Sequence, residues 1–140
     1  MKLYFIFTKR GLAVILAGIV LALVVVGLFS GVNRGYPDGS THQKRMEYLL
    51  PLRVCENAVS VKQSRLPQKI EGAILKYNEI LIRGGFNLEN FCGKQIEIYT
   101  YGLIDLGGKT VNLIICDGKI IAGYITDNLK GTITPIIKEK

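Results

Sequence analysis

The residues that best combine chemistry with regular spacing are two tyrosines, Tyr99 and Tyr101, in a segment with strand-like alternation. Side chains two positions apart in a strand point to the same side, so Glu97 and Leu103 share their face. Exposed aromatic side chains suit contacts with peptides, glycans or proteins. We therefore predict an interaction surface at Tyr99, Tyr101, Glu97 and Leu103. The alternative is that both tyrosines line the core while the neighbouring isoleucines face outward.

Residues for acid/base or nucleophilic catalysis are sparse. His42 is the single histidine and precedes the predicted domain core, so a triad would have to recruit it to the domain's edge. Glu97 and Asp105 are eight positions apart in one strand-like segment, about 27 Å if extended, too far to act together. Asp117 and Asp127 fit turns. We assign no catalytic residue; a small hydrolase using carboxylates such as Glu97 and Asp127 is the alternative.

The cysteines, Cys55, Cys92 and Cys116, are odd in number and widely spaced. This pattern matches neither a paired disulfide framework nor a CxxC metal site. We expect three structural thiols, with one disulfide plus a leftover thiol as the alternative. No phosphate-binding glycine motif occurs either, so we expect no metal and no cofactor.

Residues 11–32 form an apolar run without a charge, long enough to cross the roughly 30 Å hydrocarbon core as a helix. A cleaved signal peptide is the alternative, but this run exceeds the usual apolar core and lacks a small-x-small cleavage site. Lys2, Lys9 and Arg10 precede the run. By the positive-inside rule, residues 1–10 are a cytoplasmic tail and the chain after the span is extracytoplasmic at the cell membrane.

All 11 acidic residues and 15 of the 18 basic residues follow residue 32, for a net charge of +4 there. The positive charges are spread along the chain rather than gathered on one face, so we expect no nucleic-acid partner. Residues 33–40 are rich in turn formers and read as a linker, leaving 41–140 for one small domain.

Within the domain, Ser40 or Thr41 can cap a short helix that Pro51 ends near Leu50, and a half-exposed strand follows around Val59 and Val61. Apolar residues behind Pro67 recur at helical spacing and predict an amphipathic helix of about 17 residues. Three strands follow in a meander, the last two joined by a two-residue turn at 117–118. A short edge strand containing Pro135 completes the pattern.

These elements predict an α+β fold. An N-terminal transmembrane helix precedes a small two-layer sandwich, in which one long helix packs on a three- to four-stranded antiparallel sheet. We expect that helix to cover the sheet face that carries Val111, Leu113 and Ile115.

One set of short motifs resembles a known family. They are Tyr77-Asn78-Glu79, Gly85-Phe86, Gly93-Lys94, Tyr99-Thr100-Tyr101, Asn112-Leu113 and Asp117-Gly118-Lys119. In this order they resemble a family of small proteins of Gram-positive bacteria with one N-terminal membrane segment, known only as a domain of unknown function. The similarity covers about residues 44–131 and departs at Pro51-Leu52. The resemblance implies an extracytoplasmic globular domain and carries over no catalytic residue.

The sequence thus predicts a single-pass, membrane-anchored extracytoplasmic interaction domain without catalytic activity, whose partner is an envelope protein or glycan. A pilin-like subunit is a further alternative, because an apolar N-terminal helix before a meander is the pilin layout. Leu16 stands where pilins usually carry a glutamate.

Overall fold

The computed structural model describes residues 35–137, which belong to one compact unit. The membrane span predicted at residues 11–32 lies outside this range, and no helix within 35–137 has the length and apolar character that crossing a membrane requires. Two α-helices lie within the described residues, α1 (His42–Leu49) and α2 (Ala73–Arg83). Two 3-10 helices cover Leu50–Leu52 and Leu88–Phe91. The strands are β1 (Ser60–Arg65), β2 (Gln95–Gly102), β3 (Lys109–Cys116), β4 (Lys119–Asp127) and β5 (Thr132–Pro135).

The five strands form one antiparallel sheet in the order β1-β2-β3-β4-β5. The predicted long helix on a three- to four-stranded sheet is therefore wrong. Helix α2 has only 11 residues, because Gly72 adopts φ 60° and ψ −128° and the chain between Pro67 and Gly72 is not helical. The extra strand is β1, which pairs with β2 from Ser60↔Thr100 to Arg65↔Gln95.

The register divides the sheet into two faces. Tyr99 pairs with Leu113 and Tyr101 with Val111, and directly paired residues share a face, here called the tyrosine face. Thr100, Asn112 and Tyr124 lie on the opposite side, here called the α2 face.

Each face is covered by one of the two helices. Helix α2 packs on the α2 face, where the rings of Tyr77 and Tyr124 meet edge to face at 5.1 Å. Helix α1 packs on the tyrosine face through Arg45. The expectation that the long helix covers the face of Val111 and Leu113 is wrong for this reason.

The six residues at the end of β3, 111–116, are consecutively buried, as a strand covered on both faces requires.

The local turn predictions are confirmed. Asp117 and Gly118 join β3 to β4 with φ values of 50° and 73°, as a two-residue turn with two positive φ angles requires. Strand β5 is an edge strand and contains Pro135.

Helix α1 begins and ends as predicted and is tied to the β3–β4 turn. The Thr41 hydroxyl caps it by accepting from the Lys44 amide at 3.3 Å. Immediately before it, the Gly39 amide donates to the Gly118 carbonyl at 2.9 Å. A Cβ at Gly39 would lie 2.7 Å from side-chain atoms of both Ile115 and Ile120. Glycine therefore allows the linker to pass close over the end of the sheet and to set α1 on the tyrosine face.

Candidate functional site

Arg45 is a buried cation on the inner side of α1, with 8% of its surface exposed. Its Nε donates to the Tyr101 hydroxyl at 3.1 Å and its Nη1 donates to the Gly39 carbonyl at 2.8 Å. The guanidinium carbon also lies 3.9 Å from the centre of the Tyr99 ring, a cation–π distance. These three contacts bind α1, the linker and β2 together above the tyrosine face.

Tyr99 connects Arg45 to Glu97. Its hydroxyl donates to Oε2 of Glu97 at 3.1 Å. Partial burial and this hydrogen bond raise the pKa of Tyr99 above its usual value of 10.0, against the opposing effect of Arg45. Tyr99 is therefore a protonated donor at neutral pH, and the half-buried Glu97 carboxylate is held in one place.

A polar groove of about 440 Å³ lies beside Glu97, where the sheet extends beyond α1. Paired residues of β1 and β2 line it from the tyrosine face, and the β3–β4 turn closes one end. The lining residues include Gln63, Arg65, Gln95, Glu97, Ile115 and Asp117. The groove therefore offers amides and charges of both signs, with Ile96 and Ile115 as its apolar lining residues.

An ion pair braces the closed end of the groove. Nζ of Lys94, just before β2, lies 3.0 Å from a carboxylate oxygen of Asp117 in the β3–β4 turn. The hydrogen bond from Lys94 to Asp117 raises the pKa of the lysine above 10.5, so the lysine is charged throughout the neutral range.

The structure separates the four residues of the predicted interaction surface. Glu97 and Tyr99 are hydrogen-bonded to each other and half-buried beside the groove. Tyr101 shares their face, but it is 0% exposed and lies in the core beneath Arg45. Leu103 lies past the other end of β2, where it bridges to Val54. Glu97 and Tyr99 therefore remain available at the surface, whereas the side chain of Tyr101 does not.

Arg45, Gln63 and Arg65 belong to the site but were not predicted. Arg45 is one helical turn before the buried Leu49, so the i,i+4 spacing places it on the inner face of α1. Leu50, an apolar residue directly after α1, is by contrast 78% exposed. Gln63 and Arg65 become part of the site only through the pairing of β1 with β2, for which the local sequence contains no signal.

The two carboxylates of the hydrolase alternative lie far apart. Glu97 pairs with Ile115 and Asp127 pairs with Lys109, six residues away along β3 or about 20 Å. Oδ1 of Asp127 accepts from the amides of Leu129 and Lys130 at 3.0 and 3.1 Å. Asp127 is therefore buried because its carboxylate forms the turn after β4.

The other residues considered for chemistry are dispersed over the described part of the chain. His42 is exposed at the start of α1. Cys55 is exposed, Cys92 is half-buried and Cys116 is buried, and all three are free thiols. Among residues 35–137, no group of three or more histidine, cysteine or acidic side chains is placed to hold a metal ion.

No protein-family model, curated protein or solved structure matches this chain. The resemblance to a Gram-positive membrane-protein family therefore stays a prediction from the motifs quoted above.

Proposed function

We propose that this chain is a single-pass membrane protein whose domain, beginning near residue 41, is a non-catalytic binding module on the extracytoplasmic side. The apolar run at residues 11–32 supports the anchor, and the basic residues before it support the orientation. An anchored module is concentrated near its partner at the membrane, so a weak contact suffices for function.

The observation that carries the binding function is that Arg45 and Tyr99 fix the position of Glu97 in the wall of the groove. Arg45 stacks on Tyr99, and Tyr99 donates to Glu97, so the carboxylate is ordered before a ligand arrives. Pre-organisation of this kind lowers the ordering cost of association. Arg65 and Glu97 both line the groove and provide a cation and an anion. Such a lining suits a peptide or glycan segment with hydrogen-bonding groups.

The arrangement favours binding over turnover for a specific reason. Covalent catalysis needs a nucleophile within hydrogen-bond reach of a base, and that base needs an orienting partner. Glu97 is hydrogen-bonded to Tyr99, and partial burial raises the pKa of that tyrosine, so the phenolate form required of a nucleophile is disfavoured at neutral pH. The contacts of Tyr99 and Glu97 therefore fix the shape of a binding surface.

Membrane anchoring and topology are tested on the full-length protein in cells. We expect it in the membrane fraction, and we expect protease added to intact spheroplasts to remove the C-terminal domain while a tag before Lys2 stays protected. Full-length protein in the soluble fraction, or a C-terminal domain protected until the membrane is lysed, would contradict the proposal.

Binding through the groove is tested by placing a photo-crosslinking amino acid at position 63 of the full-length protein in native membranes. The same amino acid at position 76, on the exposed side of α2, is the matched control. We expect a discrete adduct from position 63 alone, weakened several-fold by Glu97→Gln or Tyr99→Phe. Identical adducts from both positions, or no adduct at position 63, would overturn the groove as the binding site.

A further inference from the structure

Strand β1 forms an open edge of the sheet. The chain at its end makes a backbone hydrogen bond toward β2, since the Leu66 amide donates to the Lys94 carbonyl at 3.0 Å in the register of the two strands. Among residues 35–137, β1 has β2 as its single strand neighbour. Side chains 61–65 are all exposed. An edge of this kind can accept a further strand.

The alternation of an antiparallel strand determines which backbone groups face outward. Leu66 points its amide toward β2, so Ser64 and Lys62 do the same, and the intervening residues direct their N–H and C=O groups away from the sheet. Those outward residues are Val61, Gln63 and Arg65.

The same three residues also connect the edge to the groove. They pair with Tyr99, Glu97 and Gln95, so their side chains lie on the tyrosine face. Gln63 and Arg65 line the groove itself. A strand added to β1 would therefore place every second side chain next to the groove lining.

Charge indicates the kind of strand that fits. The sequence of β1, SVKQSR, contains two cations and no acidic residue. Within the described part of the chain, no carboxylate lies within 4.0 Å of the charged nitrogens of Lys62 or Arg65. Lys62 points to the α2 face and Arg65 to the tyrosine face, so an incoming strand meets a cation on either side. Val61, 53% exposed, adds an apolar contact beside them.

We propose that β1 binds an extended acidic peptide segment of a partner protein by strand addition, with an acidic side chain of that segment pairing with Arg65 and a hydrogen-bond donor of the segment meeting Glu97 in the polar groove. This inference rests on the proposed binding function and specifies its ligand. A second copy of this chain fits less well, because its own β1 would bring the same two positive charges to the edge.

The charge preference is tested with full-length protein in zwitterionic detergent micelles, using two labelled eight-residue peptides and fluorescence anisotropy. One peptide has the sequence Val-Glu-Glu-Val-Val-Glu-Glu-Val, which places glutamates on both faces of an added strand, and the other has lysine at each glutamate position. We expect the acidic peptide to bind about tenfold more tightly, from two exposed charge pairs. Combined Lys62→Glu and Arg65→Glu should reverse the preference, whereas the matched control Lys76→Glu with Lys130→Glu should preserve it. Equal binding of both peptides, or reversal by the control pair, would overturn the inference.

Strand addition itself is tested by amide hydrogen exchange. With the acidic peptide bound, the amides of Val61, Gln63 and Arg65 should become protected, while those of Lys62 and Ser64 are protected with or without it. Binding without new protection at 61, 63 and 65 would show side-chain contact only and would refute strand addition. Protection that rises with protein concentration in the absence of peptide would assign the edge to a second copy.

The outcomes separate the two proposals. A protein that binds neither peptide but still gives the position-63 adduct refutes the acidic-strand inference alone. Loss of the adduct refutes the binding groove as well.

Discussion

The guanidinium of Arg45 stacks on the ring of Tyr99, 3.9 Å from its centre, and so links a helix near the linker to the middle of the sheet. The same side chain donates to the Tyr101 hydroxyl and the Gly39 carbonyl. The packing of α1 on the tyrosine face therefore depends on a cation as well as on apolar side chains such as Leu49.

Replacing Arg45 with methionine should lower the free energy of unfolding by about 2–4 kcal/mol, because the Tyr101 hydroxyl and the Gly39 carbonyl lose their donor in a buried site. Arg45→Lys should restore less than half of the loss, since an ammonium group lacks the planar fork that makes all three contacts. Urea denaturation in detergent measures both. Lys44→Met, at an exposed neighbouring position, is the control and should change stability by less than about 0.5 kcal/mol. Equal effects at positions 44 and 45 would contradict this role of Arg45.

Asn78 should be a second polar residue on which the fold depends. It is 1% exposed, and its Oδ1 accepts from the Leu88 amide at 2.8 Å while its Nδ2 donates to Asn87 Oδ1 at 3.1 Å. Asn78→Leu leaves the Leu88 amide without an acceptor and should cost about 1–3 kcal/mol by thermal or urea unfolding. The exposed Lys76→Leu, on the same helix, provides the comparison; a loss as large there would count against the argument.

The turn at Gly118 should tolerate substitution poorly. Its φ of 73° costs an L-residue about 1–2 kcal/mol, and a Cβ there would lie 3.2 Å from that of Ser40. We therefore expect Gly118→Ala to lower the unfolding midpoint. Gly107→Ala is a matched control, because a Cβ at Gly107 meets nothing within 4 Å and its φ is not positive. Comparable destabilisation by both variants would show that the backbone conformation is not the cause.

The three thiols should react in the order of their exposure. Cys55 is exposed, Cys92 half-buried and Cys116 buried, and burial beside Asp117 raises the pKa of the Cys116 thiol above 9.0. At pH 8, a thiol reagent followed by peptide mass spectrometry should label Cys55 first and Cys116 only in denaturant. Labelling of Cys116 in the native protein at the rate of Cys55 would contradict its placement in the core.

Alkaline pH should weaken the fold through the same thiol. A folded-state pKa above the unfolded value means that the native protein holds this proton more tightly, so stability is complete below pH 9.0 and falls as the pH rises further. The melting temperature should fall less between pH 8.5 and 10 in Cys116→Ala than in the wild type, whatever the offset at neutral pH. Parallel curves for the two proteins would exclude a contribution from Cys116.

Local features were predictable because neighbouring residues determine them. The cap at Thr41, the turn at Asp117-Gly118 and the confinement of Pro135 to an edge all follow from the conformations of a few adjacent residues. The division of β2 into two faces follows equally from strand alternation, and the register confirms it.

The errors concern contacts between distant segments. Ser60 pairs with Thr100, forty positions later. A mostly polar strand such as β1 has little apolar pattern from which that pairing can be predicted. The length of α2 was overestimated because apolar spacing continued across Gly72, where the backbone leaves the helical region. Arg45 was missed because burial of an arginine depends on partners on β2 and in the linker, which only the folded chain brings together.

The two margins of the sheet are unlike. Strand β5 is only four residues long and ends in Pro135, which has no amide hydrogen to donate, whereas no other strand among residues 35–137 pairs with the outer donors and acceptors of the six-residue β1. Two chains that paired edge to edge would each use strand β1, because β5 is too short and lacks a donor at Pro135. Such association would stop at a pair, so this architecture opposes growth into a fibre.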